Sequence, residues 1–237
     1  MASIAENILQ VRGRIESACR AFDRLLTSVN LLAVSKTCPG VSVREAFAAG
    51  QRDFGENYVQ EALGKIDELG DLRSQIRWHL IGPLQSNKAR EVATHFDWVH
   101  AVDRMKLAQR LSDLRPPELP PLQVCLQVNI SGEDSKSGVA PDAALALAHE
   151  VAALPRLQLR GLMAIPEPAG DLAGQRAPHR ALRKLLEAMN AEGLGLDTLS
   201  IGMSADLEAA VAEGATWVRI GTAIFGARPA KPSQASE

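Results

Sequence analysis

The chain of 237 residues carries 26 Lys and Arg against 28 Asp and Glu, a formal charge of -2, and 46% of it is hydrophobic. That balance gives no electrostatic reason to bind a nucleic-acid backbone, and no stretch approaches the roughly 20 apolar residues of a membrane span. Cys19, Cys38 and Cys125 are an odd number without CxxC or Cys/His ligand spacing, so neither a disulfide framework nor a metal site is indicated. They read as small buried thiols in a reducing compartment, and with no cationic and apolar leader at Met1–Glu6 a cytoplasmic protein is expected.

In chain order, an amphipathic segment from residue 4 to about 26 comes first, with Ile8, Leu9, Val11, Ile15 and Ala18 at helical spacing. It is expected to cover the bottom or side of the domain. Short apolar runs then alternate with amphipathic segments. Strands are expected over 31–34, 52–55, 78–82, 98–101, 122–129, 159–164, 198–201 and 217–221. Helices are expected between them, eight strand and helix pairs in all, for example over 43–49, 89–95, 106–111, 143–153, 179–190 and 205–213, several stopped by Gly50, Gly193 or Gly214.

Eight strand signals interleaved with helices predict a single (β/α)8 barrel with an extra N-terminal helix, spanning 1–228 and followed by a disordered tail over 229–237. An open doubly wound sheet would give the same alternation. Its dinucleotide fingerprint, GxGxxG after the first strand, is missing.

In a barrel, active sites lie at the C-terminal ends of the strands, so polar residues there call for a chemical reading. Lys36 follows the first strand on the side of Leu32 and Val34, where its amine can enter the barrel mouth. A partly desolvated lysine is a nucleophile toward aldehydes. From spacing alone, however, a solvated strand-end lysine stands ahead. Near residue 200 the chain turns through Gly202 into a helix with Ser204 expected as N-cap, an entrance suited to a phosphate or simply an ordinary cap.

Alternation puts Trp217, Arg219 and Gly221 on one face of the last strand. A guanidinium inside a barrel needs acceptors, either a ligand or a carboxylate such as Glu56. Gly221 and Thr222 add backbone amides beside the seventh-strand turn, the usual phosphate region of this fold. Asn57 and His79 sit at two further strand ends, and the loop at 131–138 carries a second candidate amine, Lys136.

The runs Ala33-Val34-Ser35-Lys36-Thr37, Phe54-Gly55-Glu56-Asn57-Tyr58 and the segment from His79 through Gly82-Pro83-Leu84-Gln85-Ser86-Asn87 to Lys88 come in a telling order. They are followed by Ser135-Lys136-Ser137-Gly138, Gly202-Met203-Ser204 and Arg219-Ile220-Gly221-Thr222. Together these resemble the pyridoxal-phosphate homeostasis protein family, small proteins that bind pyridoxal 5′-phosphate (PLP) and are similar to the barrel domain of alanine racemase.

The resemblance implies that PLP is held as a Schiff base on Lys36. It also implies that Ser204 and amides near Met203, Gly221 and Thr222 hold the phosphate, that Arg219 faces the pyridine nitrogen, and that Asn57 touches the cofactor. It carries His79 and Ser200 over less firmly, and Ile201 departs from the methionine of many relatives.

The implied role is buffering or delivery of PLP in vitamin B6 and amino-acid balance, with apo-PLP enzymes as transient clients and little turnover. An arginine opposite the ring nitrogen weakens the ring as an electron sink. The separate β-domain that supplies the racemase with its tyrosine base and its dimer is not seen, so a monomer is expected, and Tyr58 is no obvious substitute base. The alternatives are a weak PLP-dependent racemase, a lysine aldolase without PLP, or a phosphosugar isomerase with Glu56 as base.

Overall fold

In the computed structural model, which describes residues 2–132 and 137–226, eight parallel strands close on themselves. They are β1 (Asn30–Val34), β2 (Asp53–Glu56), β3 (Arg77–Leu80), β4 (Trp98–Val102), β5 (Leu122–Gln127), β6 (Leu157–Met163), β7 (Thr198–Ser200) and β8 (Trp217–Ile220). Each pairs with its successor, and β8 returns to β1 with Arg219 beside Leu32. That last pairing rules out an open sheet. Strand alternation does the rest: Leu31, Ala33, Phe54, Trp78 and Leu80 face outward onto the helices, while Leu32, Val34, His79, Trp98, His100 and Trp217 fill the interior.

Around the strands lie α1 (Ile4–Ala21), α2 (Gly40–Ala48), α3 (Val59–Glu68), α4 (Ala89–His95), α5 (Met105–Leu114), α6 (Ala144–Ala152), α7 (Leu172–Ala191), α8 (Leu207–Ala212) and the single turn α9 (Thr222–Phe225). A reciprocal capping box starts α1: Glu6 N–H donates to Ser3 Oγ at 3.2 Å, and Ser3 N–H to Glu6 Oε2 at 2.7 Å. Its stripe of Ile8, Val11, Ile15, Ala18 and Cys19 is buried against the side of the barrel, where α1 packs on α8, α9 and α2. The expected stops hold, since Gly50, Gly193 and Gly214 all take positive φ.

Three elements depart from expectation. Helix α3 is given no bounds by the sequence, because its buried stripe of Val59, Ala62, Lys65 and Ile66 is interrupted by a lysine. Helix α7 starts at Leu172 rather than 179, since Asp171 caps it by accepting from Gly174 N–H at 2.7 Å and the helix tolerates Pro178 inside. Strand β5 ends at Gln127, and Val128 makes only a bridge to Val139. Lys136 and the tail at 229–237 lie outside the described residues. No helix among the described residues is long and apolar enough to cross a membrane.

Candidate functional site

A cavity of about 420 Å³ opens at the C-terminal ends of the strands. Its wall includes Lys36 after β1, Asn57 after β2, Ile81 after β3, Ile165 after β6, Met203 and Ser204 after β7, and Arg219, Gly221 and Thr222 on and after β8. Lys36, Asn57, Met203, Ser204, Arg219, Gly221 and Thr222 therefore meet in one bowl. Lys36 and the turn at Ser204 share it, as a ligand gripped at both ends requires. His79 and Ser200 are fully buried beneath the bowl and do not line it.

Behind Lys36 sits an ionic clamp. Lys65 on α3, 5% exposed, donates to the Ser35 carbonyl, to Glu56 Oε1 and to Glu61 Oε1, each at 2.7 Å. Glu61 Oε1 also accepts from Thr37 N–H at 2.5 Å, and Ser35 Oγ donates to Glu56 Oε1 at 2.5 Å. The residues on either side of Lys36 are thus pinned to one ammonium and its carboxylates. Thr37 needs this restraint, because its φ of 65° is costly for a β-branched residue.

Burial pushes the Glu56 carboxyl up against the opposing pull of Lys65 and Ser35, and its Oε2 has no partner. Glu56 does not pair with Arg219 and does not line the bowl, which removes both the salt bridge and the isomerase base considered for it.

On the opposite wall, Gly202 turns the chain with φ of 89°, and a Cβ there would meet Ala210 Cβ at 2.5 Å. The cap of α8 is Asp206, not Ser204. Asp206 Oδ1 accepts from Met203 N–H at 2.7 Å, and Oδ2 lies 2.9 Å from His179 Nε2. The Met203 amide is therefore committed inside the turn, while the Ser204 side remains on the cavity wall.

Burial opposes ionisation of Asp206, but the His179 and Met203 hydrogen bonds outweigh it and hold the carboxyl below the usual range. Its stabilising contribution is thus present above the ordinary aspartate value of 3.8 and is lost as pH falls through the lowered folded value. Thermal melts of Asp206→Asn and the unaltered protein should differ most near neutral pH and converge in acid. A constant gap down to pH ~2 would contradict the assignment.

Arg219, 4% exposed, spends its donors on backbone and hydroxyl oxygens. Nη1 reaches the Ser200 carbonyl and Ser200 Oγ, the latter at 2.9 Å, and Nη2 reaches the Ala164 carbonyl at 2.9 Å. Burial lowers it to about 10, so it stays cationic at neutral pH. Cys38 lines the bowl half-buried, unlike the buried Cys19 and Cys125. Sequence reasoning missed Lys65, Asp206, Cys38 and His100. For His100 a signal existed: two residues after Trp98 it must point into the same interior.

Residues 10–229 match the family model for the alanine racemase N-terminal domain. The pyridoxal phosphate homeostasis protein of Pseudomonas aeruginosa is 64% identical over 96% of this chain and 97% of the relative, and that of Escherichia coli is 52% identical over 96% and 98%. The chain belongs to the pyridoxal phosphate homeostasis protein family. PipY of Synechococcus elongatus, solved with PLP bound, superposes with a TM-score of 0.82 at 40% identity, covering 94% of this chain and all of that one.

Proposed function

We propose that this protein binds PLP in the strand-end bowl, with Lys36 taking the aldehyde as a Schiff base, and that it serves PLP homeostasis rather than sustained turnover. The observation that carries the reading is the shared cavity. Lys36, the turn at Ser204 and the buried Arg219 line one space of about 420 Å³.

The residues fit the group. The Asn57 Oδ1 is buried without a hydrogen-bond partner at the bowl, an orphaned acceptor that a ligand hydroxyl would satisfy. Ser204 and the Gly221–Thr222 turn would hold the phosphate. Gly221 lets this turn pack closely on β1, since a Cβ there would sit 3.1 Å from the Val34 carbonyl. Arg219, cationic and restricted to donating, would face the pyridine nitrogen and keep it unprotonated.

When bound, PLP supplies a reactive aldehyde and, where its ring nitrogen is protonated, an electron sink. Arg219 withholds that protonation. Among the described residues lining the bowl Lys36 is the one amine, and none of them is a tyrosine, a histidine or a carboxylate. Racemisation, which needs a base on each face, is thereby disfavoured. Tyr58 stands 58% exposed outside the bowl. A bowl that opens to solvent at the strand ends suits release of the cofactor to apo-enzyme clients.

The test is a spectrum of the PLP-loaded protein before and after borohydride, followed by peptide mapping. Reduction should bleach the visible band and leave the pyridoxyl mass on the peptide containing Lys36. A modified peptide elsewhere would overturn the assignment.

A further inference from the structure

Beneath the bowl a line of buried polar groups runs through the barrel. Ser200 Oγ lies 2.8 Å from His100 Nδ1, His100 Nε2 lies 3.0 Å from His79 Nδ1, and His79 Nε2 lies 3.1 Å from Asp53 Oδ1. Asp53 in turn receives Arg77 through Nε at 2.5 Å and Nη2 at 2.6 Å. Asp53 and Arg77 border a second cavity of about 410 Å³ at the other end of the barrel. Both imidazoles are fully buried, with His79 stacked on Trp98 at 5.5 Å and packed on Trp217 at 5.0 Å.

The chemistry of the two ends fixes the direction of every proton between them. A guanidinium only donates, so Ser200 Oγ accepts from Arg219, which leaves its one hydrogen to donate to His100 Nδ1. A neutral His100 then carries its proton on Nε2 and donates to His79 Nδ1. Starting instead from Asp53, a carboxylate held ionised by Arg77 only accepts, which puts the His79 proton on Nε2 and leaves Nδ1 to accept. The two derivations meet in the middle without conflict. A proton added to His79 would set its Nδ1–H against His100 Nε2–H, and one added to His100 would deprive the Ser200 hydroxyl hydrogen of its acceptor.

We propose that His79 and His100, both as Nε2–H tautomers, form with Asp53 and Ser200 a one-way hydrogen-bond relay that presents Ser200 Oγ to Arg219 as an acceptor and so orients the guanidinium at the cofactor bowl. These are positioning residues, and their role toward the cofactor rests on the reading of Arg219 given above. The charges around the rings agree with it. Burial lowers both imidazoles, with Asp53 and Asp97 pulling His79 upward and Arg77 pushing it down, while His79 and Arg219 push His100 further down. From the remaining strands the Cys125 thiol is buried, and Arg160 lies over the Trp98 ring at 5.1 Å.

Two measurements decide it. In the protein without PLP, 15N-edited NMR of the imidazoles should show His79 and His100 with protonated Nε2 and bare Nδ1, neither titrating between roughly pH 6 and 8. An Nδ1–H tautomer at either ring, or titration in that window, overturns the relay. With PLP, Ser200→Ala should weaken binding about tenfold and shift the visible band, whereas Ser200→Thr, which keeps the hydroxyl, should restore both. Unchanged affinity and spectrum in Ser200→Ala overturn the positioning role. Failure of the unaltered protein to take up PLP would instead overturn the cofactor reading, leaving the tautomers to decide the relay by themselves.

Discussion

Replacing Lys36 with alanine is expected to abolish the visible PLP band and borohydride trapping, and to weaken PLP binding about a hundredfold, on the order of 3 kcal/mol. Imine formation requires attack of a neutral amine on the aldehyde carbon with loss of water, and alanine has no nitrogen to offer. Arginine should fail equally, because its guanidinium does not give up a proton near neutrality. Residual weak binding would come from the Ser204 turn and Arg219, which stay in place on the opposite wall.

The side chain of Lys36 is half-buried at the bowl, so the melting temperature should move little. Equilibrium titration with PLP, followed by absorbance and by melts, separates affinity from folding. A Lys36→Ala protein that keeps its visible band would place the aldehyde on another amine and sink the assignment.

The largest loss of stability is expected at Lys65. Its ammonium is shared by Glu56 and Glu61 in a region with 5% exposure for the lysine and none for Glu56, so one cation already serves two carboxyls. Lys65→Met leaves Glu56 buried with no cation, at a cost of about 3–5 kcal/mol, or roughly 10 °C in melting temperature for a chain of this size.

The sign with pH follows from Glu56. Its folded value already lies above the ordinary 4.5, and losing Lys65 raises it further. The protonated form is the one the fold tolerates, so stability is retained below the ordinary value and is lost as pH rises through the raised one. The Lys65→Met deficit should therefore be smallest in acid and grow toward neutrality. Adding Glu56→Gln should recover much of it by removing the buried charge. A deficit that is flat with pH, or unrelieved in the double variant, would contradict the clamp. PLP affinity should fall as well, since Ser35 before Lys36 loses its anchor and Glu61, which holds the Thr37 amide after it, loses its cation.

What the sequence determined by itself is the set of strands, most of the helices and the residues at the strand ends. Short aliphatic runs such as Leu31-Leu32-Ala33-Val34 can be buried on both faces only in a sheet covered by helices, and period-two alternation then fixes which side Lys36 and Arg219 occupy. The strand-end motifs also sufficed to point to the family.

Tertiary structure alone decided closure, because pairing β8 with β1 joins residues nearly the length of the chain apart and leaves no local trace. Only the tertiary structure, likewise, gave helix α3 its place. Lys65 spoils the apolar stripe in sequence and becomes a core residue through carboxyls on β2 and on its own helix and a carbonyl after β1. The line from Asp53 through His79 and His100 to Ser200 is the extreme case. Its members come from four strands, and the 100 residues between His100 and Ser200 become a single 2.8 Å hydrogen bond once the barrel brings their inward faces together. Local sequence decides which side chain points inward, whereas the partner it meets there is decided by closure.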